Sequence, residues 1–283
     1  MRSLEEFVKT SINVEITECT ELHSGLSNAT YAVNGEYAVR LKKPSDTKFY
    51  SAKTEQIILH EASSNGIAPE VLAFDKEGNC ITKWIKNSRA YVEPAMTNED
   101  LISTVETIKI VHNLPRILRN FSAIRRYKHY KKLSKITCVD KHEDKIVSLA
   151  NEFFSRDKKV LSHNDIVFGN LIKDTKENRI YLIDYEFSAM NHPFFDLASL
   201  ISENLLESKE QFELILQTYL GRAATTEERI KLLVIIAFEN YLWYYWAVSR
   251  FIATGNEEFN TIARIKKDEV IKTSSYMWKK GII

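Results

Sequence analysis

Glycine and proline are scarce in this chain, eight and five among 283 residues. That excludes collagen-like and low-complexity architectures and predicts a chain dominated by regular structure, with its few glycines kept for turns. Cysteine is scarcer still. Cys19, Cys80 and Cys138 are odd in number, far apart and never in CxxC spacing, so neither a disulfide framework nor a zinc site is indicated and reduced thiols in a cytosol are expected. Excess charge is almost absent, with 39 Lys plus Arg facing 38 Asp plus Glu, so no global field draws the chain to nucleic acid or anionic lipid. The apolar core of a signal peptide is missing from Met1 to Thr10, where Glu5 and Glu6 interrupt the pattern, and secretion is not expected. The most apolar stretch, Leu232 to Val248, is 17 residues long and contains Glu239 and Asn240. A membrane span takes about 20 apolar residues without central charge, so this stretch reads as a buried helix.

What is present is periodicity, in a chain that is 44% hydrophobic and 27% charged, the ordinary globular range. Short β-branched runs, Val14 to Thr17, Ala29 to Val33 and Tyr37 to Leu41, predict strands. Ala52 to Ser63 has a helical pattern that stops at Asn65-Gly66, before Pro69. Strands over 70–75 and 79–85 follow. From Asn98 the pattern predicts helices over 98–112, 118–134, 142–155, 195–206, 208–220, 226–253 and 257–275, with one strand-rich interruption at 160–188. The expected fold class is α+β, with a small β-rich N-terminal lobe (1–86) and a larger, mainly helical C-terminal lobe (87–283) joined near Trp84 to Asn87.

The chemistry concentrates in the interruption. His163-Asn164-Asp165-Ile166-Val167-Phe168-Gly169-Asn170 has the H-x-D-x-x-x-x-N spacing of a kinase catalytic loop. In phosphoryl transfer the acid accepts the proton of the attacking hydroxyl and the Asn five residues on holds a metal ion, roles that Asp165 and Asn170 fit. Downstream, Tyr181-Leu182-Ile183 is an apolar strand ending on Asp184, where a kinase places the Asp that binds magnesium. The 19 residues between the two acids leave room for strands 171–173 and 180–183 and a polar turn at Asp174 to Asn178, a hairpin that returns Asp184 to the loop. Either acid alone is more economically read as a turn cap; the ordered pair is not. Upstream, Leu22 to Asn28 is a polar turn able to present backbone N–H groups to phosphate, including Gly25, Ser27 and Asn28. Arg40 lies on the next strand, where a kinase carries its phosphate-binding Lys, and Glu55, early in the following helix, is its natural ion partner.

These segments together resemble the choline/ethanolamine kinase family, within the wider group that includes aminoglycoside phosphotransferases and shares the protein-kinase-like fold. The matching text is Gly25-Leu26-Ser27-Asn28, Tyr37-Ala38-Val39-Arg40, Gly66-Ile67-Ala68-Pro69, His112-Asn113-Leu114-Pro115, the loop above, and Ile183-Asp184-Tyr185-Glu186-Phe187-Ser188 running on to Asn191, Phe195-Asp196 and Glu203. The chain departs from the family at Ser24-Gly25, often two glycines, and at Val167, usually Gln, and in length it is closer to the bacterial members. The resemblance implies a two-lobe fold, ATP and Mg2+ as cofactors, and a cytoplasmic enzyme acting on a small alcohol. Nucleotide contacts would come from Gly25, Ser27, Asn28, Arg40, Glu55, Trp84 and Ile85. His163 and Asp196 would brace the loop without a proton role.

The acceptor is read from the C-terminal helices. Trp243 and Trp246, three residues apart, share a helix face. A quaternary ammonium offers no N–H to donate, so recognition rests on aromatic faces and a carboxylate. The resemblance implies that Trp243, Trp246 and Phe187 wall a choline pocket that Glu203 neutralises, with Tyr244, Tyr245 and Phe259 as further walls; the bland reading is that these aromatics are core. Glu239, one turn before Trp243, is an alternative acid or a partner for Arg250. No acid follows Glu269, which disfavours a polycationic aminoglycoside; ethanolamine and thiamine stay open. The rival of another class is a nucleotide- or nucleic-acid-binding module using Arg125-Arg126-Tyr127-Lys128-His129-Tyr130-Lys131-Lys132, against which a solvated helix face accounts for the same lysines.

Overall fold

The first element of the computed structural model, which describes residues 3–22, 28–43, 47–90, 96–206 and 208–283, is a helix, α1 (Leu4–Ile12). The reading of the first 85 residues as strands with one helix misses it, because only Phe7 and Val8 are buried along its length. Its ends define it instead. The Ser3 side chain accepts from the Glu6 amide at 3.1 Å and Asn13 closes it in the left-handed region, φ 54°.

Strands β1 (Cys19–Glu21), β2 (Asn28–Val33) and β3 (Tyr37–Lys42) follow, then α2 (Ala52–Ser64), β4 (Val71–Phe74) and β5 (Cys80–Lys83). They form one antiparallel sheet in the order β1-β2-β3-β5-β4. The β2–β3 loop is Asn34-Gly35-Glu36, between paired Val33 and Tyr37, with Asn34 and Gly35 both at positive φ, where Asn and Gly are favoured. The Asn34 Oδ1 accepts from the amides of Thr17 and Glu18, at 2.9 and 3.1 Å. Those amides are therefore unavailable to a neighbouring strand, so pairing begins at Cys19 and the strand expected over Val14 to Thr17 is absent. Val14 and Ile16 still pack, against a core of Phe7, Val8, Val33, Val39 and Ile81 that α1 shares with the sheet.

The chain continues through β6 (Ser88–Ala90), α3 (Asn98–Asn113), α4 (Ala123–Ser134), α5 (Glu143–Arg156), β7 (Val160–Ser162), β8 (Leu171–Asp174), β9 (Arg179–Leu182), β10 (Ala189–Asn191), α6 (Phe194–Ser202), α7 (Lys209–Leu220), α8 (Thr226–Thr254) and α9 (Glu257–Lys279). Contacts divide it into two compact units, Met1–Ala95 with Phe168–Ser188, and Met96–Val167 with Ala189–Ile283. The hairpin 168–188 thus groups with the first unit rather than with the residues after 87. The reason is strand pairing, since β6, β8 and β9 form one small sheet with Arg89 opposite Lys173.

In the second unit β7 pairs with β10, and the helix expected from 118 starts only at Ala123. Asn120 bridges to Met190 and the Phe121 amide donates to the Met190 carbonyl at 3.0 Å, so the preceding residues are held by β10. α8 is bounded by a capping box between Thr225 and Glu228 and by Gly255 at φ 67°. It is long and apolar enough to cross a membrane, yet 83% of its most apolar window is buried within the protein, packed against α4, α5, α6 and α9. The basic run on α4 divides between two faces, with Arg125, Lys128 and Lys132 exposed. Arg126 is buried with its guanidinium 4.2 Å from the Phe121 ring, Tyr127 and Tyr130 are buried, and Lys131 pairs with buried Glu143 at 2.5 Å. Packing accounts for Arg126 and the two tyrosines, and a solvated helix face for Lys128 and Lys132, as expected.

Candidate active site

The loop that carries Asp165 is built by buried hydrogen bonds within the second unit. Asp196, in the first turn of α6 and wholly buried, accepts from the backbone N–H of His163 at 2.8 Å and of Asn164 at 2.7 Å. Its Oδ2 also meets His112 Nε2 at 3.0 Å, and His112 Nδ1 reaches the Tyr219 hydroxyl at 2.8 Å. His112, near the end of α3, is therefore part of the brace. Ser199 Oγ accepts from the Ile166 amide at 2.9 Å, and Asn204 Nδ2 donates to the Ile166 carbonyl at 2.8 Å. Asn164 sits at φ 67°, a left-handed conformation that costs free energy and persists where surrounding structure fixes it. Its side chain donates to the Ser162 carbonyl and accepts from Asn191. Asp165 lies half-buried at the centre of this fixed loop, and His163 is buried beside it in sequence.

The first unit holds Asn170 and Asp184. Strands β8 and β9 pair with Leu171 opposite Leu182, and one step beyond, the Ile183 amide donates to the Asn170 carbonyl at 3.0 Å. The hairpin thereby brings Asn170 and Asp184 to the same end, although 14 positions separate them in sequence. Asp184 too has positive φ, 63°. Its carboxylate accepts from Arg40 Nη1 and from Asn28 Nδ2, each at 3.0 Å. Arg40, on β3, also pairs with Glu55 on α2 at 2.6 Å and donates to the Gly78 carbonyl at 3.1 Å. Burial opposes the Arg40 charge, but Glu55 and Asp184 outweigh it and hold the pKa well above its ordinary value. Glu55 is buried and its second oxygen accepts from the Tyr50 hydroxyl at 2.8 Å. Burial and Glu55 push the Tyr50 pKa up strongly, so the hydroxyl stays a donor.

Sequence reasoning misses a second ion pair there. Lys42, two residues after Arg40 on β3, pairs with Glu186, two residues after Asp184, and its ammonium lies 4.4 Å from the Tyr50 ring centre. Burial, then Asp184, raise the Glu186 pKa, while Lys42 and Arg40 pull it down. On β3 the two-residue spacing of Arg40 and Lys42 is a signal, since alternate strand residues share a face, whereas Asp184 and Glu186 lie in a turn that no such period marks. Asn28, Arg40, Glu55 and Asp184 are thus one cluster. Trp84 and Ile85 are not in it: they line an open groove of about 680 Å3 with Ser63, Gly66, Asp174 and Tyr181. Gly25 and Ser27 lie outside the described residues. Phe187 is half-buried in the 3-10 turn Tyr185–Phe187 of the first unit.

In the second unit, Trp243 and Trp246 meet edge to face, ring centres 5.7 Å apart and planes at 87°. Trp246 meets Phe259 in the same manner at 5.4 Å, and Arg250 lies over Phe259 rather than against Glu239. Trp243 Nε1 donates to Glu239 Oε1 at 3.2 Å. Glu203 caps α6 and is joined to Lys266 at 2.6 Å. Lys266 is the second residue missed, because Lys266-Lys267-Asp268-Glu269 reads as a solvated run while Lys266 is only 3% exposed. Tyr244 and Tyr245 are buried, and Tyr245 donates to Glu143.

A family model described as choline/ethanolamine kinase matches residues 19–260. The chain belongs to the choline/ethanolamine kinase family. It is 28% identical over 227 residues to Protein LicA of Haemophilus influenzae, covering 75% of this chain and 84% of that protein. A solved structure of choline kinase LicA from Streptococcus pneumoniae superposes with a TM-score of 0.78 at 18% identity, covering 96% of this chain and 98% of the other. An ADP-bound aminoglycoside phosphotransferase follows at 0.58 and 17% identity, covering 95% and 96%. The fold of this kinase is accordingly α+β and protein-kinase-like, and its activity is that of a phosphotransferase of the choline/ethanolamine type.

Proposed function

We propose that this kinase is a cytoplasmic enzyme that transfers the γ-phosphoryl group of ATP to the hydroxyl of choline, giving phosphocholine. The observation that carries the acceptor is the Trp243–Trp246 pair, whose first indole is hydrogen-bonded to the buried carboxylate of Glu239. Aromatic faces backed by negative charge suit a cation that has no hydrogen-bond donor. Phe187 is the further wall expected from sequence.

In this reading Asp165 accepts the proton of the choline hydroxyl as its oxygen attacks phosphorus, a role for which a rigid loop matters because the carboxylate must stay within hydrogen-bond reach of that proton. The Asp196, Ser199 and Asn204 bonds to backbone groups of 163–166 supply the rigidity. Asp196 and His163 act only through the loop they brace. Arg40, held by Glu55, steadies the nucleotide phosphates, since a guanidinium presents several N–H donors in a fixed fork. Asn28 and Asp184 flank it.

The donor chemistry at the hairpin end fits magnesium, which takes hard oxygen ligands from one or two protein side chains and completes its shell with water and phosphate. Asn170 and Asp184 would hold the ion, and its charge would offset that of the phosphates during transfer. The test is ADP release from MgATP with choline, ethanolamine, thiamine or kanamycin, with Asp184→Ala as control for contaminating activity. Choline-dependent turnover lost in the control is the expected result. Turnover confined to another acceptor would replace choline, and none with any of the four would overturn the reading.

A further inference from the structure

Buried charge in the second unit is unevenly answered. Three ionisable side chains from three helices form one cluster, Glu203 at the end of α6, Glu239 in α8 and Lys266 in α9. The Lys266 ammonium donates to Glu203 Oε1 at 2.6 Å, to the Ser202 carbonyl at 3.2 Å and to Asn240 Oδ1 at 3.2 Å. Three acceptors match its three N–H groups, so Lys266 is saturated and Glu203 is committed to it. Glu239 is different. It is fully buried, and its oxygens accept from two neutral donors, Ser202 Oγ at 3.2 Å and Trp243 Nε1 at 3.2 Å. The cluster therefore contains two acids and one cation, and the surplus acid is the one attached to an aromatic ring.

We infer that Glu239, and not Glu203, is the carboxylate that answers the acceptor's positive charge, acting through the Trp243 indole, while Lys266 and Glu203 form a self-contained pair that positions it. A carboxylate on the in-plane indole N–H fixes the ring and polarises it from its edge, which makes the face more negative and strengthens attraction for a cation there. One surplus acid matches one positive charge, so the acceptor class is a monocationic alcohol; a polycation would be left with uncompensated charge in a dry site. The inference rests on the reading that a cation binds at Trp243.

It carries a consequence that a purely structural Glu239 would not have. Burial raises the Glu239 pKa well above its ordinary value; among the charged groups that face it, Glu203 adds to the shift and Lys266 opposes it. Burial thus favours the protonated form of Glu239 in the free enzyme, and a cation settling on Trp243 favours the ionised form. Choline binding should expel a proton.

The experiment compares wild type, Glu239→Gln, and the double variant Glu203→Gln with Lys266→Met. The readouts are KM for choline and ATP, kcat, and calorimetry of choline binding in two buffers of different ionisation heat. Glu239→Gln is expected to raise the choline KM about tenfold or more, shift the ATP KM far less, and abolish proton release. The double variant should raise the choline KM far less than Glu239→Gln and keep the proton release. A double variant that loses choline affinity while Glu239→Gln keeps it would return the role to Glu203. Should Glu239→Gln fail to fold, wild type decides alone, and choline binding without proton release overturns the inference. Choline turnover with an indifferent Glu239→Gln sinks this inference and leaves the choline reading standing; wild-type turnover of uncharged alcohols only sinks both.

Discussion

The two ionic clusters of this kinase have the same arithmetic and opposite surroundings. Around Asp184 in the first unit, the acids Glu55, Asp184 and Glu186 meet the cations Arg40 and Lys42. Around Trp243 in the second, Glu203 pairs with Lys266 while Glu239 accepts from Trp243 and feels Lys266 only through its charge. Each carries one more acid than cation among the described residues. The first joins β3, α2 and the segment after β9, with the Asp184 side chain 23% exposed; the second lies between helices, with Glu239 fully buried and the Glu203 side chain 15% exposed. Solvent access suits a carboxylate to a hydrated hard ion, whereas burial pushes the sealed Glu239 toward its neutral form until a desolvated cation arrives. The same surplus charge is thus tuned to different ligands by solvent access.

Removing the proposed base should have the largest effect. Asp165→Ala is expected to lower kcat by roughly 10²–10⁴-fold, the usual worth of a general base, while the ATP KM changes little. Undiminished turnover would remove Asp165 as base. Next comes Arg40→Ala, which breaks the first cluster and leaves Glu55 buried without its cation. The ATP KM should rise more than the choline KM, and stability should fall by about 3–5 kcal/mol, read from denaturant unfolding. Trp243→Phe breaks the second cluster by removing the N–H that Glu239 holds while keeping a ring in place. The choline KM should rise about 2- to 30-fold, the range of a single cation contact, with the ATP KM unmoved. A matching rise in both constants would mean that Trp243 serves the core alone.

How far these clusters could be read from sequence depends on how local their contacts are. The Asp165, Asn170 and Asp184 spacing was legible because loop, hairpin and strand are consecutive, and the register Leu171 to Leu182 follows from strand lengths. Helix ends were legible where capping residues are local, as at Thr225, Glu228 and Gly255. The Arg40–Glu55 pair was legible for the same reason, strand followed by helix. Lys266 was not. Its partners Glu203 and Asn240 are 63 and 26 residues away, and no periodicity in α9 separates one lysine from the exposed one beside it. The short α1 and the lost strand at Val14 to Thr17 failed differently, through single side chains, Ser3 and Asn34, that redirect backbone amides.

The smallest effect distinguishes the clusters by pH. An acid whose pKa is raised on folding binds its proton more tightly in the native state than in the unfolded chain. Native protein then holds more protons than unfolded protein above the unfolded pKa, about 4.3 for Glu, so stability declines as pH rises toward the folded pKa. Glu239, raised by burial and by Glu203, should impose such a decline on wild type above pH 5, of at most about 1.4 kcal/mol per pH unit for one proton. Glu239→Gln removes the titrating group, so its unfolding midpoint should fall less between pH 5 and pH 8 than that of wild type. Saturating choline should flatten the wild-type profile in the same direction, because a cation bound at Trp243 stabilises the ionised carboxylate. Parallel profiles for the two proteins, with and without choline, would mean that burial leaves Glu239 unshifted and would dissolve the contrast between the clusters.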